Sequence, residues 1–376
     1  MIWQTEPLGD LCEVEYGTRI VKKLSLGKVY PVYGGGGETF RADTTNRENR
    51  VVIARFALSK TCTRFVRGQF YLNDSGLTVS PKVDELSQNF LDKIILSLND
   101  KIFELARGVG QANLDINRFL QLRISYPPLE EQKRIVTILN QAEELKQKRQ
   151  RTLDLLEELK QSIFFDMFVA EERAEWPLKT ISEISVNMRT GPFGSDLLHS
   201  EFVSEGISVL GIDNAVQNKF AWSKYRFITP QKYEKLKRYT VKPKDLLITI
   251  MGTVGRCAVV PDDIPISINT KHLCCISLDR DYVLPEFLHS AFLGHPEILR
   301  QLGMQTKGAV MPGLNMGIIK GLKVRLPPID LQKKYAHKLN QLSLLELDMI
   351  NSDQKLEELF SSIQYQAFSG ELVGDS

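Results

Sequence analysis

The apolar pattern is most regular in two long stretches of the chain, and these are copies of one another. The first, from Leu122, reads LRISYPPLEEQKRIVTILNQAEELKQKRQRTLDLLEELKQSIFFDMF; the second, from Leu322, reads LKVRLPPIDLQKKYAHKLNQLSLLELDMINSDQKLEELFSSIQYQAF. They align over 47 residues at an offset of 200 without a gap, which marks an internal duplication. Apolar residues recur three and four apart. The first copy carries Ile135, Leu139, Ala142, Leu145, Leu156, Leu159 and Ile163, and the second Tyr335, Leu339, Leu342, Leu345, Met349, Leu356, Leu359 and Ile363. This spacing predicts a long helix in each copy with a heptad-like seam, interrupted by Arg149 and Thr152 in one and by Ser352 in the other. Pro127-Pro128 and Pro327-Pro328 open the helices, because proline fits the first helical position, where an N–H has no partner. Glu130, Glu131 and Asp330 follow in the first turn and complement the dipole. About 40 helical residues at ~1.5 Å each span roughly 60 Å. Two equal stripes on helices with charged outer faces predict that the helices pack on each other.

The chain therefore divides into residues 1–126, a first helix at 127–170, residues 171–326, and a second helix with a tail at 327–376. The two non-helical segments are weakly alike. Each begins near a tryptophan and a Pro-Leu pair (Trp3 with Pro7-Leu8, Trp176 with Pro177-Leu178), and each passes through glycine-marked turns, Gly17 in one and GPFGS at 191–195 in the other. Strands are expected at 51–56, 63–72, 206–210, 246–251, 257–260 and 273–278, with a short strand-like run at 30–37. Helices are expected at 88–106, 231–238 and 285–302. Strands and helices do not alternate, so each segment reads as an α+β module.

Composition narrows the class. Apolar residues make 43% of the chain and charged residues 25%, the proportions of a globular protein, and no apolar run reaches the ~20 residues of a membrane span. The opening MIWQTEPLGDL does not read as a signal peptide. Five cysteines, with Cys274 and Cys275 adjacent and no C-x-x-C pair, predict free thiols in a reducing cytoplasm. Positive charge lies on the modules: Lys+Arg against Asp+Glu is 17 to 14 in residues 1–126 and 20 to 16 in 171–326, but 7 to 8 and 4 to 8 in the helices. That balance permits nucleic-acid binding without demanding it.

No catalytic constellation is legible. GMQTKGA from Gly303 lacks the Lys-Ser/Thr step of a phosphate loop, and Gly34–Gly37 is not a dinucleotide fingerprint. The Pro-Pro pairs lack the Asn/Asp and aromatic neighbours of a DNA methyltransferase motif, and Pro261-Asp262 is followed by no nuclease triplet. The five histidines have no metal-ligand spacing. No cofactor or metal is expected. What remains is polar loop chemistry: MGTVGR ending on Arg256; Asn269, Thr270, Lys271 and His272 in INTKHL; and the glycine loops ARGVGQAN (Arg107, Gln111, Asn113) and TKGAV (Lys307) just ahead of the helices. Arginine and lysine suit guanine edges, asparagine and glutamine adenine.

The order module, helix, module, helix, with PPLEEQ…LEELKQSI and PPIDLQ…LEELFSSI in the helices, resembles the specificity subunit of a type I restriction-modification system. GPFGS, GTVGR and NTKH in the second module, VYPVYGGGG in the first, and the final AFSGEL are also similar to that family. The resemblance implies a non-catalytic, cytoplasmic subunit whose two α+β target recognition domains each read half of a split, asymmetric sequence in double-stranded DNA. It implies that the helices pair as an antiparallel coiled coil, set the spacing of the half-sites, and dock two methyltransferase subunits and the restriction subunits, with no membrane partner. The residues expected on DNA are then Arg19, Arg55, Lys60, Arg64, Arg107, Gln111, Asn113, Arg189, Ser195, Lys219, Arg256, Asn269, Thr270, Lys271, His272 and Lys307. Those expected to dock partners are Gln132, Ile135, Leu139, Gln332, Tyr335 and Leu339, with Tyr335 in place of Ile135 making the two faces unequal. A coiled-coil scaffold with two protein-binding modules is the alternative, and an unrecognised nuclease or methyltransferase a third.

Overall fold

Two very long helices organise the computed structural model, which describes residues 3–21, 27–108, 112–170, 175–303 and 313–369. The first runs Leu129–Phe165 and continues as a π-turn, Asp166–Ala170; the second runs Ile329–Ser369. Both start one residue later than the proline pair suggests. The carbonyl of Pro128 accepts from Glu131 and Gln132, and that of Pro328 from Leu331 and Gln332, so the second proline is the cap. The chain divides into two compact units, Met1–Gln150 with Ile350–Ser376, and Arg151–Met349. Each unit holds one module and opposite ends of the two helices.

In the first unit a six-stranded sheet is ordered Cys12–Tyr16, Gly76–Pro81, Arg47–Ala54, Thr63–Leu72, Tyr30–Gly34, Gly37–Ala42, with Tyr30–Gly34 parallel to Thr63–Leu72 and the other pairs antiparallel. Period-two alternation separates two cores: Val51 and Ile53 face the main core, Val52 the smaller one with Val66, Phe70 and Leu72. The helices Gln88–Ser97 and Asn99–Glu104 cover the main core.

In the second unit two four-stranded sheets are interleaved in sequence. One is ordered Ser185–Thr190, Leu273–Leu278, Leu246–Thr249, Cys257–Val259, all antiparallel. The other is ordered Phe227–Ile228, Ile207–Leu210, Ser267–Asn269, Thr240–Val241, with its central pair parallel. Every residue of Leu273–Leu278 is buried: Cys274, Ile276 and Leu278 belong to one core, Leu273 and Cys275 to another. Adjacent Cys274 and Cys275 thus point to opposite faces, and all five cysteines are buried and free.

Both units share one frame. A short strand pairs antiparallel with the strand leading into each long helix, Gln4–Pro7 with Arg123–Tyr126 and Leu178–Thr180 with Lys323–Arg325. Asp115 caps the helix Ile116–Leu120, and Asn315, at the repeat position, caps Met316–Gly321. Phe368 of the second long helix packs on Phe90 in the first unit; its repeat partner Phe168 packs on Phe287 in the second, centroids 5.9 and 4.8 Å apart.

The helix ends run antiparallel within each unit. In the first, Lys146 pairs with Glu357 at 2.7 Å and lies over the Phe360 ring, while Arg149 meets Ser352 and Asp353. Two breaks in the apolar seam, Arg149 and Ser352, are therefore a polar contact across the helix pair. In the second, Lys160 pairs with Glu346, and Tyr335 packs edge-on against Phe164 and Phe168. The seam is narrower than the stripe: Ile135, Leu139, Leu156, Tyr335 and Met349 are buried, but Leu145, Leu159, Leu345 and Leu359 face outward.

Candidate nucleic-acid interface

In the first unit several loops meet at one end of the sheet's strands. Gly17 and Thr18 donate backbone hydrogen bonds to Gly76 and Leu72, Asn73 donates to Tyr33, and Gly35 donates to Ser75 Oγ at 3.1 Å. Arg55 is fixed through its backbone, its N–H to Ser75 and its carbonyl to Leu114, both at 2.9 Å. Its guanidinium lies 4.7 Å from the ring centroids of exposed Tyr16 and Phe56. Arg64 is consumed within the loops, donating to Gly35 and Thr61 carbonyls at 2.9 and 3.1 Å. Arg107 forms an ion pair with the buried capping residue Asp115. Asn113 is exposed and its Oδ1 accepts from Ala57, whose φ of 50° is left-handed. Arg19 and Lys60 are exposed.

In the second unit the strings GPFGS, GTVGR and NTKH converge. The hairpin between Leu246–Thr249 and Cys257–Val259 turns through Gly252 and Gly255 at φ of 70° and 80°, a region glycine enters without strain, and leaves Arg256 exposed at its end. Ile250 donates to the His272 carbonyl at 2.9 Å, which brings Thr270, Lys271 and His272 beside that hairpin. Gly191 passes so close to the Asn269 and Thr270 backbone that a Cβ has no room, and the loop then runs out to exposed Phe193 and Ser195. Burial, with Lys271 and Arg226 nearby, holds the His272 pKa below its ordinary value.

Several expected site residues prove internal. Arg189 is buried. It donates to Asp245 Oδ2 at 2.7 Å, to Ser277 Oγ at 3.0 Å and to the Thr240 carbonyl at 2.5 Å, so it ties the two sheets of its module together. Asn269 is fully buried, its amide nitrogen donating to the Leu273 carbonyl at 3.0 Å. Lys219 is exposed but engaged with Glu346 at 2.5 Å. Burial raises the Glu346 pKa, yet hydrogen bonds from Lys160 and Lys219 outweigh it and bring the net value below ordinary. Gln111 and Lys307 lie outside the described residues.

The residues expected to dock partners also lie inward. Gln132, Ile135, Leu139, Gln332 and Tyr335 are buried, and Leu339 is half-buried against the core of its own unit. They fasten each helix to its module. Tyr335 differs from Ile135 in core packing, its hydroxyl donating to Ser290 Oγ at 2.8 Å, and not in a docking face. Among the large apolar residues that the helices expose, three recur at repeat positions. The first unit carries Leu145, Leu359 and Tyr365 at 49%, 55% and 68% exposure; the second carries their repeat partners Leu345, Leu159 and Phe165 at 51%, 45% and 50%. Sequence reading placed these leucines in the seam. Only their burial, set by the partner helix, reveals them.

Among the described residues no cluster of His, Cys, Asp or Glu could hold a metal ion, and no helix is long and apolar enough to cross a membrane. His289, half-buried, bonds through Nε2 to the carbonyls of Asn218 and Cys257 at 2.9 and 3.0 Å.

The type I restriction modification DNA specificity domain matches the chain twice, over residues 2–157 and 175–359. The chain belongs to this family. The two matches cover both modules and most of both helices, which is the duplication read from sequence. Among relatives, the chain is 22% identical over 312 residues to the type I restriction enzyme MjaVIII specificity subunit of Methanocaldococcus jannaschii, covering 76% of this chain and 72% of the relative. It is 27% identical over 175 residues to the EcoBI specificity subunit of Escherichia coli, covering 46% and 36%. The fold is similar to the crystal structure of a type I restriction-modification S subunit from M. genitalium, with a TM-score of 0.61 at 18% identity over 98% of this chain and 96% of that one. Family membership does not favour the scaffold with two protein-binding modules.

Proposed function

We propose that this chain is the DNA-reading subunit of a type I restriction-modification assembly in the cytoplasm, and that it performs no chemistry itself. Each module reads one half of an asymmetric, two-part target in double-stranded DNA. The loops that carry Arg55, Lys60, Asn113 and Arg19 serve one half-site; those that carry Arg256, Thr270, Lys271, His272 and Ser195 serve the other. Phosphate contacts from exposed lysines and arginines set position, and base-edge contacts set sequence. The relatives are named as specificity subunits of restriction enzymes, which supports methyltransferase and restriction subunits as partners.

The observation that carries the reading is the equivalence of the two units: one frame, one set of helix attachments and one exposed apolar triad, each occurring twice. Two equal triads suit two copies of one partner, and we assign them to two methyltransferase subunits. The deciding experiment exchanges residues 171–326 for the matching module of a relative and maps methylation by the assembled complex. One half of the recognised sequence changes and the other stays. A change in both halves overturns the reading of independent modules.

A further inference from the structure

We propose that Arg55 reads a guanine in the half-site of the first module. This rests on the DNA-reading role proposed above and gives one residue a base.

Among the basic candidates of that module, Arg55 alone combines a fixed position with uncommitted donors. Its backbone is pinned on both sides by the hydrogen bonds to Ser75 and Leu114. Its guanidinium lies over Tyr16 and Phe56, each centroid 4.7 Å away, and both rings are themselves exposed. Among the described residues no hydrogen bond or ion pair is made by that guanidinium, in contrast to Arg64 and Arg107 beside it. The ring contacts use the π-system of the guanidinium and none of its five N–H donors, which lie in its plane. Ring contact also restricts the side chain before any ligand arrives, so less rotamer entropy is lost on binding.

A planar fork with uncommitted donors fits a planar pair of acceptors. In the major groove guanine offers O6 and N7 as such a pair, and bidentate arginine is the commonest specific contact to it. A phosphate offers the same acceptor chemistry. The surroundings favour the base: Arg19 and Lys60 are exposed on the same module and supply mobile positive charge for the backbone, whereas Arg55 is held rigid, as readout requires. Asn113, tied to Ala57 two residues along, places a second base-reading side chain type in the same loop cluster.

The test is selection of binding sequences from a randomised duplex library by the assembled complex, using the wild-type chain, Arg55→Lys and Arg55→Ala, with thermal melts confirming that each folds. Arg55→Lys keeps the charge and loses the planar fork, so it serves if the alanine variant misfolds. In both variants one G·C position of the first half-site is expected to lose its preference, the second half-site is expected to stay intact, and affinity for the wild-type target is expected to drop on the order of 5- to 100-fold. Uniform loss across sequences, with the consensus preserved and the salt slope reduced by about one, identifies a phosphate contact and overturns the assignment. An unchanged consensus and affinity also overturns it. If the wild-type complex selects no sequence at all, the DNA-reading role itself fails, a result distinct from either.

Discussion

Gln132 and Gln332, 200 residues apart, make the same three kinds of hydrogen bond in the two units. Gln132 accepts from the backbone N–H of Ser87 at 2.9 Å and donates to the carbonyls of Glu85 and Pro127 at 2.6 and 2.8 Å. Gln332 accepts from Leu284 at 2.8 Å and donates to Tyr282 and Pro327 at 3.0 and 2.9 Å. In each case a buried amide closes the residue before a module helix, Gln88–Ser97 or Pro285–Gly294, and locks the start of the long helix to it. Gln132→Ala or Gln332→Ala leaves three backbone groups without their partner, the proline carbonyl among them buried, and is expected to cost about 2–4 kcal/mol. Denaturant unfolding measures it. A loss under about 0.5 kcal/mol, the size of an ordinary surface change, counts against this role.

Arg189 and Asp245 give a second stability test. Arg189→Ala strands a buried carboxylate and is expected to destabilise by about 3–5 kcal/mol, whereas replacing both with apolar residues of similar volume costs far less. Chemical denaturation of the single and double variants separates them. If Arg189→Ala instead leaves stability unchanged and weakens DNA binding, the side chain works at the surface after all.

Asp92 makes the first unit sensitive to pH. Burial raises its carboxyl to about 6, against the lowering effect of Gln88, which donates to it at 2.8 Å, and of Arg50, the Val51 backbone and Lys93. The folded pKa lies above the unfolded one, so the folded state holds its proton more tightly. The stabilisation is complete below about pH 4 and is lost as pH rises through about 6, a difference of roughly 2–3 kcal/mol. Melts of wild type and Asp92→Asn between pH 4 and 8 are expected to show the variant gaining relative stability as pH rises over that window. Parallel pH profiles count against it.

The exposed triads are tested by charge. Leu159→Asp with Phe165→Asp is expected to remove one methyltransferase subunit from the assembly and leave the other, because the partner triad of Leu145, Leu359 and Tyr365 is untouched. Native mass measurement distinguishes two bound subunits from one. Retention of both assigns the docking face elsewhere.

Helix length is the last variable. In the first unit Lys146 faces Glu357 and Arg149 faces Asp353, so an insertion after Gln147 keeps the pairing only if the second helix grows too, after Lys355. Four residues in each add ~6 Å and about 1.1 turns, close to two base pairs at ~3.4 Å. The expected result in methylation mapping is the same two half-sites with a longer unread gap. An unchanged gap in a folded, active variant means the helices do not set the spacing.

The sequence made the duplicated helices legible because core positions and the capping glutamine constrain both copies alike. The strands Thr63–Leu72 and Leu273–Leu278 are predicted to the residue, since both are long and rich in β-forming side chains. The strands Gln4–Pro7, Leu178–Thr180 and Lys323–Arg325 are too short for any alternation to show. The helix expected at 285–302 is broken at His295, held extended at ψ 121° because Pro296 follows. The interface was legible as strings of residue types, not as individual side chains. Whether Arg189 or Arg55 faces water depends on Asp245 in one case and on Tyr16 and Phe56 in the other, and no local pattern carries those distant partners.

The first unit is finished by the far end of the chain: Ala367 is buried in its core, with Phe360, Ile363 and Phe368 packed against it. The second unit, by contrast, is one continuous stretch, Arg151–Met349. On a translating ribosome the usual order is therefore inverted, for domains ordinarily fold from the N-terminus as they emerge. The module synthesised first must wait with an open core while the second is made and closes, and it becomes complete only when the last turns of the second helix arrive.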